Sequence, residues 1–384
     1  MKNCDLYIPG KIFYGENSLS KIKELPLSNE DKVCIFAADI LVKNGYVKKI
    51  EDILNEKSIS YKIYSDMPVE PSYSEVQKIV DDVRDENITF IIGVGGGSVM
   101  DAAKLVSILD TDEYNIKDLL DNPTLGKKTI KSLMIPSTVG TGSEATPNSI
   151  VLVPEDNLKV GIVNNELIPD YVILDPEVVK DLPKSLVAST GIDALCHNIE
   201  CYTSTKANPI SNSFAISGLE LILKNIEEAA LNPSNKEAKS KMLLGSFYGG
   251  VSITTSGTTA VHALSYPLGG KFHVPHGVSN AILLVPVLKY NKSHIEEELV
   301  EIFDKIYLTE NSEVKQEDKA DFVINKIERI VNNLDIPKTF AEFGVNESHI
   351  DELVNSSMKV TRLLNNNKKE VTPEDARSIY EQVI

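Results

Sequence analysis

The chain has 384 residues, 42% of them apolar and 25% charged, which fits one large or two medium soluble domains. A formal charge of −17, with scattered lysines and only four arginines (Arg84, Arg329, Arg362, Arg377), excludes nucleic acid as a partner, because neutralising phosphates needs clustered cations. No apolar run approaches the ~18–20 residues of a membrane span, the opening Met1-Lys-Asn-Cys-Asp carries no apolar leader core, and Cys4, Cys34, Cys196 and Cys201 show no C-x-x-C spacing; a cytoplasmic protein without membrane contact is expected.

In chain order, Val33–Ala37 reads as a short buried strand. Leu41, Val42, Tyr46, Val47, Ile50, Ile53 and Leu54 follow at helical spacing, so one helix is expected there. Tyr61–Tyr64 is the next strand, and Tyr73, Val76, Ile79, Val80 and Val83 mark a second helical stripe. Thr89–Val94 forms a third strand running into Gly95-Gly96-Gly97-Ser98, with Met100, Ala103, Val106 and Ile108 on the helix beyond. Leu133–Ile135 and Val172–Asp175 are further strands. Alternation of this kind implies a mainly parallel sheet. From Pro183 onward only helical patterns occur, so residues 1–180 are expected to form an α/β domain and residues 181–384 an all-α domain.

Two loops stand where ligands bind open α/β sheets, at strand carboxyl ends. The first, Gly93-Val-Gly-Gly-Gly-Ser98, opens a helix whose free N–H groups and dipole suit phosphate. It departs from G-x-G-x-x-G, since Ser98 stands three after Gly95. Ser98 and Asp101 also fit a capping box, a purely structural role. The second loop, Ser137–Glu144, carries further hydroxyls and glycines. Together they point to a dinucleotide.

The helical half concentrates the histidines. Asp193 and His197, at i and i+4, share one helix face. His262, His273 and His276 crowd into V-H-A-L-S-Y-P-L-G-G-K-F-H-V-P-H-G, where a turn at Pro267, Gly269 and Gly270 is expected to fold His262 and His276 together. One carboxylate with three imidazoles suits Fe(II), Zn(II), Mn(II) or Co(II) rather than Ca(II). A helix–helix hydrogen bond is the alternative for Asp193 and His197 alone. Cys196 points away on the same helix and reads as a packed thiol.

The ordered motifs resemble the iron-dependent (group III) alcohol dehydrogenases, relatives of dehydroquinate synthase. They run from I-P-G-K-I-F-Y-G-E-N through G-G-G-S-V-M-D-A-A-K, P-S-T-V-G-T-G-S-E, I-L-D-P, G-I-D-A-L-C-H-N-I-E and H-x13-H to V-T-P-E-D, nearly the whole chain. The resemblance implies a Rossmann-like, dehydroquinate synthase-like N-terminal domain, a helical C-terminal domain and an active site in the cleft between them. It implies Fe(II) or Zn(II) on Asp193, His197, His262 and His276, and NAD or NADP. Gly96, Gly97 and Ser98 would meet the pyrophosphate, with Gly95 also in the cofactor site and Asp101 toward the nicotinamide. Thr138, Thr141, Ser143 and Lys159 would line the cofactor site. A homodimer acting on a small alcohol or aldehyde is expected.

Two positions depart from the family pattern. Where an aspartate often selects NAD over NADP, this chain has Ala38, with Asp39 next. Tyr266 replaces a commoner histidine before Pro-Leu-Gly, leaving His273 as another proton carrier. H-A-L-S-Y-P-L-G-G is similar to the 4-hydroxybutyrate dehydrogenase branch and points to a short primary alcohol or hydroxy acid, such as 4-hydroxybutyrate with succinate semialdehyde. The rival readings are a lyase like dehydroquinate synthase, disfavoured by the lack of arginine between Arg84 and Arg329, and a non-catalytic metal or nucleotide binder.

Overall fold

The computed structural model describes residues 3–68, 70–156 and 158–384, with Asp156 described by its backbone only. The chain divides into two compact units, Tyr7–Asp181 and Leu182–Ile384, the latter joined by the N-terminal residues as far as Leu6.

The first unit runs β1 (Lys11–Tyr14), β2 (Lys32–Ala37), α1 (Asp39–Lys43), α2 (Tyr46–Glu56), β3 (Ser60–Tyr64), α3 (Tyr73–Arg84), β4 (Phe90–Gly95) and α4 (Gly97–Ile108). It continues through α5 (Ile116–Asp121), β5 (Lys131–Pro136), β6 (Asn148–Val153), β7 (Leu158–Val163), β8 (Tyr171–Leu174) and α6 (Pro176–Val179). Six strands form one parallel sheet in the order β1-β8-β5-β4-β2-β3. Alternate residues of β2 serve opposite faces: Val33, Ile35 and Ala37 join one core cluster, Cys34 and Phe36 the other. Burial on both faces explains why these strands read as unbroken apolar runs.

The topology places the ligand edge. β2 pairs with β3 on one side and β4 on the other, so the strand order reverses between β2 and β4. Their carboxyl ends therefore lie together at a switch point, where α/β sheets take ligands. The Ala38 N–H donates to the Val94 carbonyl at 3.1 Å, tying the two loops at that edge.

Local expectations are modified or extended within this unit. The helix expected over residues 41–54 is two, because Gly45, at φ 77°, caps α2 in the left-handed region that favours glycine. The four-residue edge strand β1 is too short to show periodicity. The antiparallel hairpin β6–β7 packs beside the sheet's helices, with Val151 and Ile162 in the core cluster that holds α3 and α4.

The second unit is helical: α7 (Lys184–Thr203), α8 (Pro209–Leu231), α9 (Lys236–Ile253), α10 (Ala260–Phe272), α11 (His276–Ile306), α12 (Lys319–Asn333), α13 (Ile350–Ser357), α14 (Thr361–Leu364) and α15 (Pro373–Glu381). α7 is buried on every side from Gly191 to Thr203, so it is the central helix of this unit. Among the described residues, no helix is long and apolar enough to cross a membrane.

The turn expected at Pro267-Gly269-Gly270 is absent: those residues lie inside α10. Their side of the helix is fully buried, and packing there outweighs the lost Pro267 hydrogen bond. In the same stretch the Tyr380 hydroxyl donates to the Leu264 carbonyl at 2.7 Å. The chain instead reverses at His273, which leaves the helix at φ 53°, followed by Pro275 at the cap of α11.

Candidate metal centre and nucleotide loops

Three helices of the second unit converge on Asp193. Its Oδ1 lies 3.5 Å from His276 Nε2, 3.6 Å from His262 Nε2 and 3.7 Å from His197 Nε2. Four donors arranged tetrahedrally about one ion at ~2.1 Å would stand about 3.4 Å apart, so these spacings fit a shared divalent ion. The donor atoms of Asp193, His262 and His276 are all within 4.8 Å of one another. His197 approaches this trio from α7, its ring stacked on that of His262 at 4.7 Å. The site fits the metal that the donor chemistry calls for.

Each ligand's place has a local cause. Asp193 and His197 are one turn apart on α7. His262 is in the first turn of α10 and His276 begins α11, so both present themselves at helix starts. Gly277 brings α11 against α7: a Cβ there would meet the Ser189 carbonyl oxygen at 2.2 Å.

Electrostatics keep the carboxylate charged. Burial pushes Asp193 up, but His197, His276 and His262 outweigh it and hold the carboxyl well below the usual range. Burial likewise depresses the His262 imidazolium, yet Glu200 and Asp193 raise it to about 9. Burial raises Glu200 in turn, and His262 with Thr259 brings it below its ordinary value.

Two site residues escaped the sequence reading. Asn280, one turn after His276, donates from Nδ2 to Asp193 Oδ1 at 2.8 Å, and the same nitrogen lies 3.3 Å from both His262 and His276 Nε2. Glu200, buried on α7, contacts His262 Nδ1. Both continue the i, i+4, i+7 spacing from a ligand, the one signal that could have found them. Cys196 is a buried thiol pushed far above its ordinary value by burial, hence inert.

The remaining candidates lie as follows. Tyr266 is buried, its ring 6.1 Å from that of His276. His273 is exposed at the end of α10.

In the first unit, Gly95 ends β4 and Gly96 caps α4 without any side-chain hydrogen bond, leaving the helix N-terminus open. The glycines are needed for close approach: a Cβ on Gly96 would reach Thr138 Cγ2 at 3.3 Å, and one on Gly97 Thr141 Cγ2 at 2.9 Å. Because the cap is Gly96, Ser98 and Asp101 do not form the expected capping box. Ser98 Oγ accepts from the Glu70 N–H at 3.2 Å, and Glu70 pairs with Lys159 at 2.5 Å. The Asp101 carboxylate is buried and takes the Ser143 hydroxyl, the Ile150 N–H at 3.0 Å and Lys104 at 3.1 Å. It thereby fastens the second loop and β6 to α4. Ala38 caps α1, and exposed Asp39 pairs with Lys43 one turn on.

Beneath these loops Lys104 is fully buried and donates to the carbonyls of Ser143, Thr146 and Asn148. Glu144 beside it is also buried, and among the described residues neither of its oxygens has a hydrogen-bond partner. Burial pushes its carboxyl up to about 7.

Residues 9–176 match the sequence model of the iron-containing alcohol dehydrogenases, and residues 187–384 that of the C-terminal part of the Fe-containing alcohol dehydrogenase family. Long-chain-alcohol dehydrogenase 1 of Geobacillus thermodenitrificans is 35% identical, over 91% of this chain and 88% of that protein. The 4-hydroxybutyrate dehydrogenase of Clostridium kluyveri is 32% identical, over 82% and 84% respectively. The crystal structure of sulfoacetaldehyde reductase from Bifidobacterium kashiwanohense in complex with NAD+ superposes with a TM-score of 0.88 at 26% identity, covering 99% of this chain and 98% of the other.

The buried Glu144 yields a stability prediction. Folding raises its carboxyl from near 4.5 to about 7, so the folded chain binds this proton more tightly than the unfolded one. Stability is complete below the lower value and declines as pH rises through the upper. Glu144→Gln removes that penalty. Relative to the parent, the variant is expected to gain up to about 3 kcal/mol between pH 5 and pH 8. A thermal-unfolding difference that is flat across this range would exclude titration of Glu144 there.

Proposed function

The chain belongs to the iron-containing alcohol dehydrogenase family, and from that premise we propose that Asp193, His197, His262 and His276 hold a divalent metal that serves an NAD(P)-linked oxidoreduction. The observation that carries this reading is Asp193 Oδ1 standing 3.5–3.7 Å from three imidazole nitrogens on three helices. The metal proposed is Fe(II), with Zn(II) compatible with the same donors. When bound, such an ion supplies a Lewis acid for an alcohol or carbonyl oxygen, and the nicotinamide carries the hydride.

The chain's own residues divide the remaining work. Residues 181–384 are proposed as the metal-binding catalytic domain and residues 1–180 as the dinucleotide domain. Gly95, Gly96, Gly97 and Ser98 would let a pyrophosphate approach the open N-terminus of α4, beside Thr138 and Thr141. Asp101 and Ser143, bonded to each other, would hold that loop in place, and Lys159 would act through Glu70. Ala38 and Asp39 would meet the adenosine ribose. The proposed substrate is a short primary alcohol or hydroxy acid, 4-hydroxybutyrate among them. Its proton would leave through Tyr266, His273 or water. A homodimer is proposed on the apolar exposure of β1, an edge strand paired with β8, and of its approach, at Tyr7, Ile8 and Ile12.

His276→Ala is expected to lose metal, read by elemental analysis, together with all but a residue of NADH-dependent aldehyde reduction. Undiminished turnover by a metal-free His276→Ala protein would sink the assignment.

Nucleotide choice has its own test. With no carboxylate at position 38, NADPH should be accepted, and Ala38→Asp should shift the NADH-to-NADPH ratio of kcat/KM toward NADH by roughly tenfold. An unchanged ratio would place the ribose elsewhere.

For Tyr266, removal of the hydroxyl in Tyr266→Phe should lower kcat for hydroxy-acid oxidation about 2–10-fold, the worth of one hydrogen bond. Equal rates in parent and variant would leave Tyr266 as packing.

A further inference from the structure

Glu200 lies on the same face of α7 as Asp193 and His197, at i+7 and i+3 from them, and its two oxygens face different partners. Oε1 accepts the Thr259 N–H at 3.0 Å, the Thr259 hydroxyl at 2.8 Å and the Val261 N–H at 2.9 Å, with the His262 N–H at 3.4 Å. These are the orphan donors at the start of α10, whose own cap residue, Thr259, supplies no side-chain acceptor. Oε2 meets Nδ1 of the His262 ring, whose Nε2 faces Asp193. One carboxylate from α7 therefore caps α10 and grips the far side of a ligand ring.

We propose that Glu200 is the positioning residue that sets the tautomer of His262, and this rests on the metal reading above. An ionised carboxylate only accepts, so the His262 proton facing it must sit on Nδ1. In the neutral ring that metal binding requires, this leaves the Nε2 lone pair directed at the metal locus, while the same carboxylate fixes the ring's orientation.

The division of labour makes Glu200→Gln diagnostic. A glutamine has one acceptor oxygen and one NH2 donor. The backbone N–H groups of Thr259 and Val261 can be satisfied only by the oxygen, so the oxygen stays at the cap. The NH2 must then face His262 Nδ1, which has to become the acceptor. The ring proton moves to Nε2, the atom the metal needs. The cap is retained and the ligand is lost.

The experiment uses Zn(II) as the probe, with affinity measured by chelator competition on the parent, Glu200→Gln and Thr259→Val. Zn(II) should bind the parent at one site per chain and bind Glu200→Gln ~10–100-fold more weakly, the usual loss for an outer partner of a metal ligand. Thr259→Val, which removes only a capping hydroxyl, should keep the parent's affinity. No Zn(II) binding by the parent defeats the metal reading itself. Parental affinity in Glu200→Gln defeats the tautomer proposal alone, as does an equal loss in Thr259→Val, which would make Glu200 a helix cap and nothing more. Should Glu200→Gln not fold, nitrogen-15 spectra of the histidine rings in the metal-free parent, at a pH high enough for a neutral His262 ring, decide the matter. A His262 proton on Nδ1 supports the proposal, and a proton on Nε2 overturns it.

Discussion

The charge on Asp193 is the constraint around which the helical unit is arranged. A carboxylate taken from water into a dry helical core costs several kcal/mol unless charged or hydrogen-bonded groups surround it. Here the compensation comes from three imidazoles and the Asn280 amide, drawn from α7, α10 and α11. None of these helices can shift far without uncovering that charge. The cluster therefore serves as a structural tie, and a divalent ion bound there would join the same electrostatic balance.

Around the cluster, α7 works as a polar spine inside an apolar helix. Asp193, His197, Asn198 and Glu200 are all buried, although the helix is covered on every side. Each has a specific partner: Asn198 donates to the Ala194 and Gly245 carbonyls at 2.7 and 3.1 Å, and Glu200 collects the start of α10. Buried hydrogen bonds of this kind favour one arrangement of helices, because a shifted neighbour would strand a donor.

The α/β half applies the same logic to loops. Asp101 receives a hydroxyl, a backbone N–H and the Lys104 ammonium, and Lys104 spends its remaining donors on loop carbonyls. These bonds hold the second loop against α4, and the Ser137 N–H ties that loop to the glycine loop by donating to the Gly95 carbonyl at 2.8 Å. Gly96 caps α4 without a side-chain hydrogen bond, which leaves the first N–H groups of α4 free at the sheet's switch point. Glu144 lies beside Lys104 with no hydrogen-bond partner among the described residues, and burial raises its carboxyl.

Much of this was legible in the amino-acid sequence. The apolar runs Val33–Ala37 and Thr89–Val94 announced strands buried on both faces, and the i, i+4 spacing of Asp193 and His197 announced a shared helix face, because strand and helix periods are local properties of the chain. The glycine-rich stretch after β4 announced a close-approach loop for the same reason. Only tertiary structure decided the rest. Pro267, Gly269 and Gly270 read as a turn, yet they are helical because packing around α10 outweighs local propensity. The break fell instead at His273 and Pro275, which brings His276 rather than His273 to Asp193. Glu200 and Asn280 were marked only by their helical spacing from Asp193 and His276, since a glutamate or asparagine acquires its role only from what another helix places against it. The partners of Glu200 lie on α10, far away in sequence, and no local pattern encodes a contact that only folding creates.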